Sequence, residues 1–150
     1  MAEALRFHYD VDGDNFTSAG AASVEVKRKL RQLGFDAETI RRVSIAMYEG
    51  EINMVVHARG GSADVYVDKN SITIILADSG PGIPDIDLAM QEGYSTAPDN
   101  IRALGFGAGM GLPNMKRYTD EMKIDTVLGK GTTVTMKVYF NTGKSTTPVS

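Results

Sequence analysis

Three groups of residues in this sequence have the types and the spacing to bind a nucleotide and to act on its phosphates. Glu49 and Asn53 lie four residues apart in a stretch with helical periodicity, so their side chains are predicted to share one face of a helix. Asp78 follows an apolar run at 72–77 and precedes the residues Ser-Gly-Pro-Gly. The third group is the run 105–112, in which glycine occupies every second position.

Asp78 could recognise a purine. A carboxylate just past a buried strand lies at the edge of a sheet, where it can accept a hydrogen bond from the exocyclic amine of a base. Gly80 and Gly82 let the backbone turn sharply and approach a flat ring, and Pro81 stiffens the turn. Because Asp followed by Gly is also ordinary turn chemistry, this segment alone does not distinguish a nucleotide site from a turn.

The glycine run could hold phosphates. Such a run can direct backbone N–H groups at phosphate oxygens, and a helix that begins at Leu112 would add the partial positive charge of its N-terminus. No Gly-Lys-Ser/Thr closes the run, so it is not a Walker A loop, and its spacing is not that of a dinucleotide fingerprint. The alternative is a flexible surface loop.

Periodicity predicts the elements that must position these residues. Long helices beside hairpin strands favour an α+β fold, a two-layer α/β sandwich with one mixed, mostly antiparallel sheet and helices on one face. Residues 1–140 are expected to form one domain and residues 141–150 a disordered tail. We predict helices at 16–33, 36–58, 86–91 and 112–120, and strands at 4–10, 63–67, 72–77, 122–128 and 132–140.

The two long helices have predicted apolar faces. In the first helix, which Gly34 would end, the buried positions are Ala22, Val26, Leu30 and Leu33. In the second, which Asp36 would cap, they are Ile40, Val43, Met47, Met54 and Val55. The basic cluster Lys27, Arg28, Lys29 and Arg31 is the solvated face of the first helix, or less simply a docking surface.

Three further residues of the second helix need an interpretation. Gly50 in mid-helix costs roughly 1 kcal/mol relative to Ala, which tight helix packing would explain. Glu51 points about 200° around the helix from Glu49, so the two carboxylates cannot face one site. His57 shares the stripe of Glu49 and Asn53, and we assign it no catalytic role.

Composition excludes several classes of protein. A net charge of -3 gives no electrostatic footprint for nucleic acid, and the absence of cysteine excludes disulfides and thiolate metal sites. Residues 1–6 do not have the pattern expected of a signal peptide, and no apolar run approaches the ~20 residues of a membrane span. We therefore expect a cytoplasmic protein without nucleic-acid or membrane partners. Its oligomeric state stays open.

In order and content, the three groups resemble the N, G1 and G2 boxes of the GHKL ATP-binding superfamily, the Bergerat fold. The sequence is most similar to the branch of bacterial anti-sigma regulatory serine/threonine kinases, which includes the switch kinases of stress-signalling complexes. The resemblance covers the chain from the first strand to about Phe140. The segments that carry it are Asp78 to Asp85, Gly93 to Thr96, Gly107 to Pro113, and Lys116 with Arg117.

The resemblance implies a site that binds ATP and Mg²⁺. It implies that Glu49 is the general base and that Asn53 is the metal ligand, since Mg²⁺ prefers oxygen. It places Thr132 and Thr133 near the adenine, although β-propensity explains them equally well. The nucleotide-binding residues implied are Asn53, Asp78, Gly80, Gly82, Ile83, Gly105, Gly107, Ala108, Gly109, Met110, Gly111, Leu112, Lys116 and Thr133.

Some residues of the matching segments keep two interpretations. Lys116 and Arg117 are predicted either to contact the phosphates or to lie on the solvent-exposed side of their helix. Ser95 and Thr96 receive no role. Relative to that branch, Ala97 to Leu104 looks like an insertion. It would change the motion of the loop at 92–111, which the resemblance implies to be a lid over the nucleotide, and the surface offered to partners.

The implied function is a serine/threonine protein kinase. Its substrate would be an anti-sigma-factor antagonist or scaffold of the STAS class, and a sigma factor or a phosphatase would be a second partner. One alternative is a nucleotide-gated binding module with negligible phosphotransfer, against which an intact Glu49 argues. Another is the catalytic part of a histidine kinase, against which a Glu four residues before Asn53 argues.

Overall fold

The computed structural model describes residues 5–13, 19–58, 60–91 and 111–140. Within these ranges lie four helices and five strands. The helices are α1 (Ala21–Gln32), α2 (Ala37–Ala58), α3 (Ile86–Ala89) and α4 (Gly111–Arg117). The strands are β1 (Leu5–Asp12), β2 (Gly60–Val67), β3 (Ser71–Ala77), β4 (Glu121–Val127) and β5 (Gly131–Tyr139). The tail predicted at 141–150 lies outside the described residues.

The five strands form one sheet in the order β1-β2-β3-β5-β4, and each of the four pairings is antiparallel. Alternate residues of β2, β3 and β5 are buried, and they share one core with α1, α2 and α4. The helices therefore pack on one face of the sheet. The predicted α+β sandwich is confirmed. No helix in the described ranges is both long enough and apolar enough to cross a bilayer.

The other face of the sheet is polar. On β1, His8 lies with its Nδ1 atom 2.8 Å from Oδ1 of Asp64 on β2. The same carboxylate oxygen accepts hydrogen bonds from Arg6 at 2.8 and 3.1 Å. The hydrogen bond to Asp64 raises the pKa of His8.

The position of helix α2 depends on its N-terminal cap and on Gly50, which has no side chain. Asp36 caps it, with Oδ2 accepting from the Thr39 backbone N–H at 3.1 Å. A Cβ at Gly50 would lie 2.1 Å from Cδ1 of Leu76 and 3.2 Å from Sδ of Met115. The glycine thus lets β3 and α4 approach the helix closely, and the five positions predicted to be buried on α2 are all buried.

Two sequence predictions were wrong at element ends. Strand β1 extends two residues beyond its predicted end at residue 10, because Val11 and Asp12 pair with Gly61 and Gly60, which begin β2 before its predicted start at residue 63. Leu33, predicted to be buried, is 47% exposed because α1 ends one residue before it and Gly34 then turns the chain with φ of 87°. Helix α1 is observed from Ala21, and residues 14–18 lie outside the described ranges.

Glu51 is buried, only 2% exposed, and caps α1 from the neighbouring helix. Its Oε2 atom accepts hydrogen bonds from the backbone N–H groups of Gly20 at 2.9 Å and Ala22 at 3.1 Å. Its Oε1 atom accepts one from Ser23 at 3.0 Å. A carboxylate at a helix N-terminus satisfies N–H groups that the helix leaves unpaired, and it also interacts favourably with the helix dipole.

We expect Glu51→Ala to lower the free energy of unfolding by about 3 kcal/mol, because it leaves buried backbone donors without an acceptor. Urea denaturation followed by circular dichroism measures this. Glu38→Ala is the matched control, since that carboxylate is exposed on α2 and pairs with Arg41 at 3.8 Å. Equal stabilities of the two variants would contradict the capping role.

Candidate functional site

Asp78 is the first residue after β3, and it joins the end of this strand to β5. Its backbone N–H donates to the Thr132 carbonyl oxygen at 2.9 Å. Its Oδ1 atom accepts from the backbone N–H groups of Gly80 at 2.9 Å and Thr132 at 3.1 Å. Oδ2 makes no hydrogen bond with the described residues, so one carboxylate oxygen can receive a donor from a ligand.

Two threonine hydroxyls extend this network to β4. Oγ1 of Thr132 lies 2.9 Å from Oγ1 of Thr126, which accepts from the backbone N–H of Ile83 at 2.9 Å. The turn after Asp78 is therefore tied to the sheet at both of its ends. This places Asp78, Gly80, Gly82 and Ile83 in one turn.

The two glycines of this turn are explained by contacts with the protein itself. A Cβ at Gly80 would lie 2.6 Å from Cβ of Ala58, the last residue of α2. Gly82 has a φ of 85°, and a Cβ there would lie 2.8 Å from the carbonyl oxygen of Val127. The turn fits between the end of α2 and the end of β4, and larger residues would displace it.

Thr132 rather than Thr133 contacts Asp78. Successive side chains of β5 point to opposite faces, and Thr132 is buried on the same face as Val134 and Met136. Thr133, which the sequence placed among the nucleotide-binding residues, points to the other face, away from the helices. Its register partner there is Ala77.

Glu49 and Asn53 lie on α2 beside the beginning of α4. Oε2 of Glu49 accepts a hydrogen bond from Nδ2 of Asn114 at 3.1 Å. A Cβ at Gly111 would lie 3.8 Å from Oδ1 of Asn53 and 3.9 Å from the Glu49 carbonyl oxygen. The structure thus brings together Glu49, Asn53 and the last glycine of the glycine-rich run.

Helix α2 connects the two halves of the site. The turn after Asp78 contacts its end at Ala58, and Gly111 contacts it near Glu49 and Asn53. At 1.5 Å per residue, the stretch from Glu49 to Ala58 spans roughly 13 Å. His57 lies in this stretch, and its burial lowers its pKa.

Lys116 and Leu112 lie away from Glu49. Because Lys116 follows Asn114 by two residues, it points about 200° around the helix from the side chain that contacts Glu49. It lines a separate cavity of about 390 Å³ between α3, α4 and β4. Leu112 is buried in the core. The cavity is lined by Ile86, Met90, Lys116, Thr119, Asp120, Met122 and Ile124.

The rest of the glycine-rich run lies outside the described residues. This applies to Gly105, Gly107, Ala108, Gly109 and Met110, to Ser95 and Thr96, and to the insertion from Ala97 to Leu104. No group of three His, Cys, Asp or Glu residues able to hold a metal occurs in the ranges that the structure describes.

Sequence reasoning placed both threonines near the adenine but counted only Thr133 among the nucleotide-binding residues, and it missed Asn114. Thr132 could have been chosen instead, because it alternates with the apolar residues of β5 and must share their face. Asn114 gave no comparable signal, since its contact with Glu49 joins residues 65 positions apart.

Comparisons with known proteins identify the family of this chain. Residues 15–138 match the family of histidine kinase-like ATPase domains. Over 108 residues, 69% of this chain and 75% of the relative, the sequence is 34% identical to the serine/threonine-protein kinase RsbT of Bacillus subtilis (strain 168). Over 118 residues, 75% of this chain and 79% of the relative, it is 32% identical to the anti-sigma F factor of Thermoanaerobacter sp. (strain X514).

A solved structure has a similar fold. The crystal structure of the RsbU and RsbW domains of Rv1364c from Mycobacterium tuberculosis superposes with a TM-score of 0.57 at 17% identity. The match covers 89% of this chain and 32% of that longer chain, so it supports the fold alone. The resemblance to the GHKL family and to its anti-sigma kinase branch is confirmed by the sequence comparisons.

The two histidines of the chain should titrate on opposite sides of the ordinary pKa of 6.5. We expect His8 above it, because it contacts Asp64, and His57 below it, because burial disfavours the imidazolium. NMR titration of the two ring signals measures both values, and His8→Gln assigns them. A pKa of 6.5 or higher for His57 would contradict its burial beside the site.

Proposed function

Because the chain belongs to the histidine kinase-like ATPase family, and within it to the branch of anti-sigma regulatory serine/threonine kinases, we propose that it transfers the γ-phosphate of ATP to a partner protein. The observation that carries this proposal is the placement of Glu49. It lies one helical turn from Asn53, with one carboxylate oxygen held by Asn114 and the other open among the described residues.

Asp78 would bind the adenine. Its Oδ2 atom would accept a hydrogen bond from the exocyclic amine, while Oδ1 stays occupied by the Gly80 and Thr132 N–H groups. The hydroxyl of Thr132 lies in the same network, and we assign it the position that the sequence gave to Thr133. The nucleotide would thus be recognised by groups that the sheet already fixes.

Asn53 would hold Mg²⁺ through Oδ1. Mg²⁺ favours octahedral oxygen coordination and is commonly held by few protein ligands together with phosphate oxygens and water. Gly111 lies beside this oxygen without a side chain, so the end of the glycine-rich run is next to the proposed metal ligand. Bound Mg²⁺ would neutralise phosphate charge during transfer.

Glu49 would act as the general base. It would accept the proton of a serine or threonine hydroxyl while that oxygen forms a bond to the γ-phosphorus. The bond between the γ-phosphorus and the bridging oxygen of the β-phosphate breaks, and ADP leaves. The open Oε1 atom is the one that we assign to the incoming hydroxyl.

The partner would belong to a regulatory system of the kind that the relatives' names describe. We infer as substrate an anti-sigma-factor antagonist or scaffold of the STAS class, and as second partner a sigma factor or a phosphatase. The names serine/threonine-protein kinase and anti-sigma F factor support this proposal. Phosphorylation would then decide which partner the kinase holds.

Asp78→Asn should weaken ATP binding about tenfold or more. The amide oxygen can keep the hydrogen bonds of Gly80 and Thr132, but the amide nitrogen would then face the adenine amine, donor against donor. Calorimetric titration with ATP and Mg²⁺ measures the affinity. Asp68→Asn, in the exposed turn between β2 and β3, is the matched control. Unchanged affinity of Asp78→Asn would place the adenine elsewhere.

Glu49→Ala should keep ATP affinity within about twofold and lower phosphotransfer at least about 100-fold, since a general base contributes about that much or more. The assay uses labelled ATP, Mg²⁺ and the recombinant STAS-domain proteins encoded in the same genome. Glu38→Ala, an exposed carboxylate of the same helix, is the control. Retained transfer would exclude Glu49 as the base. A wild-type protein that binds ATP but labels no partner would favour the nucleotide-gated binding module.

A further inference from the structure

We propose that Asn114 is the positioning residue of Glu49, an inference that rests on the proposed function. The side chain of Asn114 extends from α4 and donates its Nδ2 hydrogen to Oε2 of Glu49 on α2 at 3.1 Å. The two residues are 65 positions apart, so the folded arrangement of α4 against α2 creates the contact. Asn114 would hold the carboxylate in the orientation from which it removes the substrate proton.

The orientation of the Asn114 amide is determined by its two neighbours. Nη1 of Arg117 donates to Oδ1 of Asn114 at 3.3 Å. A guanidinium group can only donate, and an ionised carboxylate can only accept. The amide oxygen must therefore face Arg117 and the amide nitrogen must face Glu49. The result is a chain of hydrogen bonds from a cation, through an amide, to the carboxylate.

The packing of α4 keeps Asn114 in place. Leu112 and Met115, on either side of it in the sequence, are both buried in the core. At the start of the same helix, Gly111 lies so close to α2 that a Cβ there would come within 4 Å of Asn53 and Glu49. A rotation of α4 that removed Asn114 from Glu49 would also remove these apolar side chains from the core, so the amide is held by the fold.

A held carboxylate matters for this reaction because a glutamate has several rotatable bonds. If Oε2 is held by Asn114, Oε1 keeps one direction. A base that is already oriented loses less conformational entropy when it reaches the transition state. Neither atom of this contact belongs to the adenine network of Asp78 and Thr132. Loss of the Asn114 amide should therefore change phosphotransfer and not ATP binding.

The test compares Asn114→Ala and Asn114→Asp with the wild type and with Glu49→Ala. The aspartate side chain has the shape of asparagine but no N–H group, and it puts a second carboxylate against Glu49. This variant therefore removes the hydrogen-bond donor while it keeps the packing of the side chain. In the labelled-ATP assay with STAS-domain proteins, we expect both variants to lower kcat about tenfold or more, with KM for ATP within about twofold. Asn70→Ala, in the exposed turn before β3, is the matched control and should keep the wild-type kcat.

A second measurement does not depend on activity. In urea denaturation, the Glu49→Ala/Asn114→Ala double variant should lose less stability than the two single variants lose together, because both remove one contact. Additive losses would mean that the contact is absent, and they would overturn the inference.

The kinetic outcomes separate this inference from the proposed function. If Glu49→Ala abolishes transfer and the Asn114 variants keep kcat, Asn114 does not position the base, and the kinase proposal stands. If Glu49→Ala retains phosphotransfer, Glu49 is not the general base, and the inference about Asn114 is wrong as well. A fall of kcat in both Asn114 variants, with unchanged KM for ATP, supports the inference.

Discussion

The close contact between α2 and the sheet at Gly50 is the constraint on which the candidate site depends. A methyl group there would lie 2.1 Å from Leu76, so the distance between helix and sheet is set by the missing side chain. The residues on either side of Gly50 are Glu49 and Glu51. Their directions from the helix axis are thus fixed by a packing contact in which neither of them takes part.

These two carboxylates have opposite surroundings, although one residue separates them. Glu51 is buried and accepts three backbone hydrogen bonds, which join α1 to α2, and its burial keeps it from contact with a ligand. Glu49 accepts one side-chain hydrogen bond among the described residues and keeps an open oxygen. Residue type alone does not distinguish them. The partners that the fold brings to each one do distinguish them, and of the two only Glu49 keeps an oxygen that the described residues leave open.

Much of this could be predicted from the sequence, because periodicity reports which face of an element is buried. The apolar stripe of α2 and the paired stripe of Glu49 and Asn53 follow from a period of 3.6 residues. Two kinds of feature were not accessible. Strand β1 continues past residue 10 because Val11 and Asp12 pair with two glycines of β2, and glycine is equally typical of turns. The contact of Asn114 depends on how α4 packs, which no local pattern contains.

The site combines a rigid half with one that depends on a single helix. The Asp78 network is made of backbone and threonine bonds at the ends of β3, β4 and β5, so its geometry belongs to the sheet. Glu49 and Asn53 instead meet the start of α4, a helix of seven residues anchored by Leu112 and Met115. A shift of α4 would therefore change the surroundings of Glu49 and Asn53, the proposed base and metal ligand, while the network around Asp78 stayed as it is. The proposed nucleotide contact and the proposed base thus depend on separate parts of the fold.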